Sequence, residues 1–155
     1  MSELEAELRL LLDERAIGRQ LGRFSRILDS KDFASLGEVF AVDVTFDYGQ
    51  EGDKHGLGEL RAWMHRFLDV CGGTQHHIGN LSVEIDGDTA SSRSYIFARH
   101  QRRTELGGPV FDTSGEYLDR WERRPEGWRI VRRDAKWFVV HGDGAIVGVQ
   151  EIRLD

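Results

Sequence analysis

The sequence predicts an α+β fold, with helices first and a run of long antiparallel strands after them. Apolar residues recur at helical spacing through the first third: Leu4, Leu8, Leu11, Leu12, Ile17, Leu21, Phe24 and Leu28. After Gly72-Gly73 the pattern becomes strand-like and stays so to Val140. Turn signals punctuate that stretch at Asp86-Gly87-Asp88, Gly107-Gly108-Pro109 and Pro125-Glu126-Gly127. Strands of this length twist and curl. The expected architecture is therefore a cone-shaped, curved antiparallel sheet packed with three helices around an apolar pocket.

Each element follows from local pattern. Residues 3 to 29 read as one helix with an apolar stripe. Gly18 and Gly22 weaken it, and their four-residue spacing marks close approach of another element. Asp29-Ser30-Lys31-Asp32 is a break with capping residues. A short helix is expected from Phe33 to Phe40, and a strand from Val44 to Tyr48 with Val44, Phe46 and Tyr48 on one side. Gly49 to Lys54 reads as a polar loop. Gly56 to Val70 reads as a third helix with Leu60, Trp63, Met64, Phe67 and Leu68 on its apolar face. Four strands follow: Thr74 to Ile85, Thr89 to Thr104, Val110 to Arg123 and Gly127 to Val140.

Composition bounds the function. A chain of 155 residues fits a single domain, residues 1 to 155, with one core. Hydrophobic residues at 39% and charged residues at 31% describe a globular chain. The net charge of −6 is interleaved, so nucleic acid is not an expected partner. The densest basic cluster, Arg129, Arg132 and Arg133, reads as the solvated face of a strand. No apolar run approaches the ~20 residues that span a bilayer, and the first twelve residues alternate acids with leucines. Membrane association is not expected, and a cytoplasmic location is. Cys71 is the single cysteine and reads as a buried, inert thiol.

Three residues carry the candidate chemistry: Asp29, His76 and His100. A carboxylate that orients one imidazole, with a second imidazole opposite, is an acid/base set suited to neutral pH. An acid at the C-terminus of a helix opposes the macrodipole, which points to a partner, and His100 is the candidate. His76 and His77 face opposite sides of a strand, so only one points inward. His100 ends the small, mostly polar face of Ser92, Ser94, Ile96 and Ala98, which suits a cavity wall. Arg99 and Arg102 flank it and would disfavour an imidazolium. Tyr48 reads equally as a core tyrosine or a catalytic one, and Phe24, Trp63, Phe67 and Tyr117 as core or pocket-wall aromatics. The histidines lack the spacing of a metal site, so neither a metal nor another cofactor is expected.

These segments carry a family resemblance. The stretch Ile27-Leu28-Asp29-Ser30-Lys31-Asp32-Phe33, then Leu36, Phe40 and Val44-Thr45-Phe46-Asp47-Tyr48, resembles the SnoaL-like branch of the nuclear transport factor 2-like superfamily. Asp86-Gly87-Asp88-Thr89-Ala90 and Gly127-Trp128-Arg129-Ile130 complete the likeness, which covers roughly residues 8 to 140. It implies the cystatin-like α+β barrel and homodimers or homotrimers formed through the outer sheet face.

Within the superfamily the nearest enzyme resemblance is to the scytalone dehydratases, which remove water from a β-hydroxy ketone. Leu28 to Asp32 resembles their helix end, which bears the orienting acid, here Asp29. Tyr48 falls on a tyrosine that holds a water on the substrate carbonyl. Thr74-Gln75-His76-His77-Ile78-Gly79 and His100-Gln101-Arg102 resemble the segments of the two catalytic histidines. Leu28 stands where a second tyrosine belongs, and Gly115 and Tyr117 where a substrate-binding serine and asparagine belong. A ketosteroid isomerase mechanism would need a tyrosine near Phe24 and a base near Tyr48, and neither is present.

The expected function is a cofactor-independent, dehydratase-like lyase or isomerase acting on a small cyclic or polyketide-like ketone or alcohol. His76 takes the proton, and His100, oriented by Asp29, protonates the leaving hydroxyl or completes the relay. Tyr48 serves the carbonyl, and Phe24, Trp63, Phe67, Ala98 and Tyr117 hold the substrate. The alternatives are a binding module for a small hydrophobic molecule and a small accessory subunit of a ring-hydroxylating oxygenase.

Overall fold

A capping box starts the first helix, α1 (Glu3–Ser30): the Ser2 hydroxyl accepts the Glu5 N–H, and the Glu5 carboxylate accepts the Ser2 N–H. The helix closes on Lys31 in the left-handed region (φ 58°), with Lys31 N–H donating to Leu28 and Asp32 N–H to Ile27. Lys31 Nζ donates to the Gly72 carbonyl and fastens the helix end to the sheet. The computed structural model describes residues 2–103, 107–149 and 154.

The buried stripe of α1 runs from Asp13 through Ile17, Leu21, Phe24 and Ile27 to Leu28. Leu4, Leu8, Leu11 and Leu12 share the predicted periodicity but stay exposed. Of the paired glycines, Gly18 does meet a neighbour: a Cβ there would contact Leu81 at 3.5 Å. Gly22 has open space beside it.

A short 3-10 helix (Phe33–Glu38) leads into β1 (Phe40–Asp47) and β2 (Lys54–His55). The predicted short helix therefore ends earlier, and Phe40 opens a strand that begins four residues before Val44. Val44, Phe46 and Tyr48 share the buried side as expected. β2 falls in the predicted polar loop. Helix α2 (Leu57–Leu68) follows, then β3 (Cys71–Asp86), β4 (Thr89–Arg102), β5 (Val110–Arg124), β6 (Gly127–Gly142) and a second 3-10 turn (Gly144–Val147) that local pattern did not reveal. Thr104, the expected end of β4, lies outside the described residues.

The sheet order is β2-β1-β6-β5-β4-β3. The four long strands pair antiparallel as expected, whereas β1 joins β6 in parallel, so the sheet is mixed. It curves without closing, with β2 and β3 as its edges. Register shifts in β3, β5 and β6 supply bends. At one of them Gly115 is obligatory, because a Cβ would lie 1.9 Å from the Lys136 carbonyl oxygen.

The shift between β5 and β6 corrects one sequence reading. Trp121 pairs with Ile130 and Arg120 with Arg132, so Val131 is the extra residue. Trp128 and Ile130 point inward before it, Arg133 and Ala135 after it. Arg133 is thus fully buried instead of solvated, with Nε and Nη2 each 2.7 Å from the equally buried Asp119 carboxylate.

Candidate functional site

A cavity opens between α2 and the inner face of the sheet. Trp63, Met64, Phe67 and Leu68 line it from α2. Ala98 and His100 face it from β4, Phe111, Thr113 and Tyr117 from β5, and His76 from β3. Strand alternation explains these sets, since each strand contributes every second residue. Leu28, Tyr48, Gln50, Trp137, Val147 and Val149 complete the lining. Where the resemblance implies a second tyrosine, the apolar Leu28 forms wall.

Asp29 sits behind this wall in the last turn of α1. Its Oδ1 accepts from His76 Nδ1 at 2.7 Å and from the Thr74 hydroxyl at 3.1 Å, and its Oδ2 accepts the His76 backbone N–H at 3.1 Å. The expected partner, His100, is not the one it orients. The helix end docks beside β3, and His76 stands two residues after Thr74 on that strand, so the nearer imidazole takes the carboxylate. Burial pushes the Asp29 pKa up, but its bonds to His76 and Thr74 outweigh it and hold the carboxyl below the ordinary carboxylate range. His77 is exposed on the opposite side of the strand.

His100 takes a different partner. Thr74 and His100 face each other across β3 and β4, and His100 Nδ1 donates to the Phe111 carbonyl at 3.0 Å. A carboxylate and a carbonyl can only accept, so in the neutral rings both Nδ1 atoms carry the proton. Nε2 of each ring is then the unprotonated atom left for the cavity. The two rings lie edge to face, with centroids 5.4 Å apart. Burial, and secondarily the neighbouring His76, pushes the His100 pKa down to about 4. Arg99 and Arg102 play no part: they pair with Asp112 and Asp143.

Tyr48 lines the cavity floor beside Trp63 and Tyr117, with ring centroids 6.3 and 6.1 Å away. Its hydroxyl is buried and makes no hydrogen bond among the described residues. Burial raises its pKa above the ordinary phenol value, with Arg133 opposing. Phe24 is not in the wall. It is fully buried, edge-on to Phe40 at 5.3 Å and under the Arg133 guanidinium at 4.4 Å, because its turn of α1 faces the core beneath the cavity.

Of the sequence-derived set, His76, His100, Tyr48, Trp63, Phe67, Ala98 and Tyr117 converge on one cavity. Phe111 and Thr113 were within reach of the alternation in β5. Trp137 was hidden by the register shifts, and Val147 and Val149 by an irregular segment. Cys71 is buried, with its thiol pushed up to about 11 by desolvation. Among the described residues no group of three or more His, Cys, Asp or Glu is placed to hold a metal ion. No described helix is long and apolar enough to cross a membrane.

The model of a SnoaL-like domain matches residues 9–134. The chain belongs to the SnoaL-like family. An uncharacterised protein of Mycobacterium tuberculosis is 33% identical over 127 residues, covering 78% of this chain and 82% of its own. Two solved structures share the fold at lower identity. A candidate scytalone dehydratase of Novosphingobium aromaticivorans is 22% identical, covers 93% of each chain and has a TM-score of 0.80. A hexachlorocyclohexane dehydrochlorinase is 15% identical, covers 95% of this chain and 97% of its own, and has a TM-score of 0.77.

Proposed function

We propose that this SnoaL-like protein is a cofactor-independent lyase or isomerase, dehydratase-like in its chemistry, for a small cyclic or polyketide-like ketone or alcohol. The observation that carries the reading is the Asp29–His76 pair. A carboxylate fixes Nδ1–H of a buried imidazole and leaves Nε2 as a base at the wall of an apolar cavity. The two structural relatives are named as a candidate dehydratase and a dehydrochlorinase, both eliminations, which supports this reading.

In the proposed reaction His76 Nε2 removes the proton α to the substrate carbonyl. The electron pair forms the carbon–carbon double bond, and the C–O bond to the β-hydroxyl breaks. The proton held on His76 passes to the departing hydroxyl, so the products are the enone and water. Because burial pushes the His100 pKa down to about 4, we assign it an accepting role in place of the acid role that the sequence suggested. Its neutral Nε2 instead accepts the hydrogen bond of the substrate hydroxyl and orients it. Tyr48 donates to the carbonyl oxygen or its bound water. Trp63, Phe67, Ala98 and Tyr117 hold the apolar body of the substrate.

The test is a water-loss assay by mass spectrometry on a panel of cyclic β-hydroxy ketones. Wild type is expected to lose water, and His76→Ala to be inactive. Compounds that raise the melting temperature without any turnover would favour the binding-module alternative. The proposed homodimer or homotrimer would bury the outer sheet face, where Tyr95, Phe97, Phe138 and Val139 are exposed. Light scattering on the purified protein checks it.

A further inference from the structure

Beneath the cavity floor lies a buried ionic assembly that the proposed reaction does not use. Arg133 is fully buried, gripped by Asp119 through Nε and Nη2 and stacked on aromatic faces. Its guanidinium carbon lies 4.0 Å from the Tyr117 ring centroid, 4.4 Å from Phe24 and 5.2 Å from Phe40. These contacts leave one nitrogen, Nη1, with no hydrogen-bond partner among the described residues. The Tyr48 hydroxyl, within interaction range of that guanidinium, is also unpartnered. Two unsatisfied polar groups side by side in an apolar floor are costly unless they serve each other and something in the cavity.

The chemistry of the pair fixes a direction. A guanidinium has donors and no acceptor, whereas a phenol hydroxyl has one donor and accepting lone pairs. Any bond between them must run from Nη1–H to the tyrosine oxygen. The Tyr48 hydroxyl is itself buried, but Tyr48 lines the cavity, and that is the side from which a ligand acceptor could reach its proton.

We propose that Arg133, clamped by Asp119, is a positioning residue: it donates from Nη1 to the Tyr48 oxygen and commits the Tyr48 O–H to an acceptor oxygen of the occupant, a ketone or its enolate. This rests on the reading of the cavity as a ligand site. It makes the floor a selector for occupants with a carbonyl-type acceptor over hydrocarbons of the same shape. Charge that builds on that oxygen during proton abstraction would also meet a donor polarised by a nearby cation.

The test compares a bicyclic aryl ketone with its hydrocarbon, 1-tetralone against tetralin, by titration calorimetry on the intact protein. Wild type is expected to prefer the ketone by about fivefold, the worth of one net hydrogen bond. Tyr48→Phe should abolish the preference. Arg133→Met combined with Asp119→Leu removes both buried charges and keeps the volume. It should lose the preference too, with tetralin affinity unchanged, which a merely structural defect would not spare. Should that variant not fold, Arg133→Lys keeps a charge for Asp119 without the fork and is expected to lose the preference likewise. A preference retained when Arg133 is replaced, or equal binding of both compounds by wild type, overturns the inference alone. Binding of neither compound by wild type overturns the ligand-site reading and the inference with it.

Discussion

Two paired carboxylates border the same cavity and are built for opposite ends. Asp29–His76 lies at the wall, with the Asp29 side chain 27% exposed and the ring at 6%. Arg133–Asp119 lies under the floor, with both side chains at 0%. The wall pair joins a carboxylate to an imidazole, whose second ring nitrogen can take up and release a proton. The floor pair joins a carboxylate to a guanidinium that stays charged, in a bidentate grip walled by aromatic rings. Depth and partner type therefore separate a group suited to moving protons from one suited to holding a shape.

The sharpest way to break this contrast is to disable the wall pair. His76→Ala should lower turnover by roughly 10²–10⁴-fold while leaving the fold intact. Steady-state rates and melting curves on one preparation check both halves. A collapse in stability without selective loss of rate would make His76 a structural residue like Arg133.

The floor should answer the other way. Arg133→Met leaves the Asp119 charge buried without its partner and should cost about 3–5 kcal/mol in urea unfolding. Replacing both, as Arg133→Met with Asp119→Leu, should restore most of that. A single variant as stable as wild type would show that the floor pair does not hold the core.

Acid sharpens the contrast between the two histidines. Well above pH 6.5 His100 is neutral in both the folded and the unfolded chain. As pH falls from about 6.5 to about 4, the unfolded imidazole takes a proton that the buried one refuses, so stability declines across that window. The full loss is roughly 3 kcal/mol. Asp29, whose folded pKa is depressed, adds a loss only at lower pH, as its carboxylate protonates. His100→Asn should flatten the upper window, as read by unfolding at a series of pH values. The smallest effect is expected at Cys71. Its thiol, held near 11, should react with iodoacetamide only on unfolding, followed by mass spectrometry.

The family and the antiparallel core of the sheet were legible because they follow from period and turn chemistry. The long strands begin and end close to their turn signals, and β4 alternates buried and exposed from Ala90 to His100. That alternation is why His100 and Ala98 could be placed on a cavity wall; on β3 it said only that one of His76 and His77 faces inward, and the family resemblance singled out His76. The wall aromatics Trp63 and Phe67 follow from helical spacing in α2. Arg133 was misread because an extra residue at Val131 reverses which side chains point inward, and a bulge has no composition signal in this stretch. Phe24 was misplaced because periodicity gives the buried face of α1 without saying which part of that face meets cavity and which meets core.

By itself the sequence determined the element types, the sheet's long antiparallel run and the presence of two inward imidazoles with an acid to spare. Those depend on neighbours a few residues apart, whose geometry is set by the backbone. Only the tertiary structure decided which imidazole the acid holds, because Asp29 and His76 meet through the docking of a helix end on an edge strand. It alone placed an arginine in the core and left one of its donors without a hydrogen-bond partner among the described residues, since burial of a charge depends on partners far away in the chain.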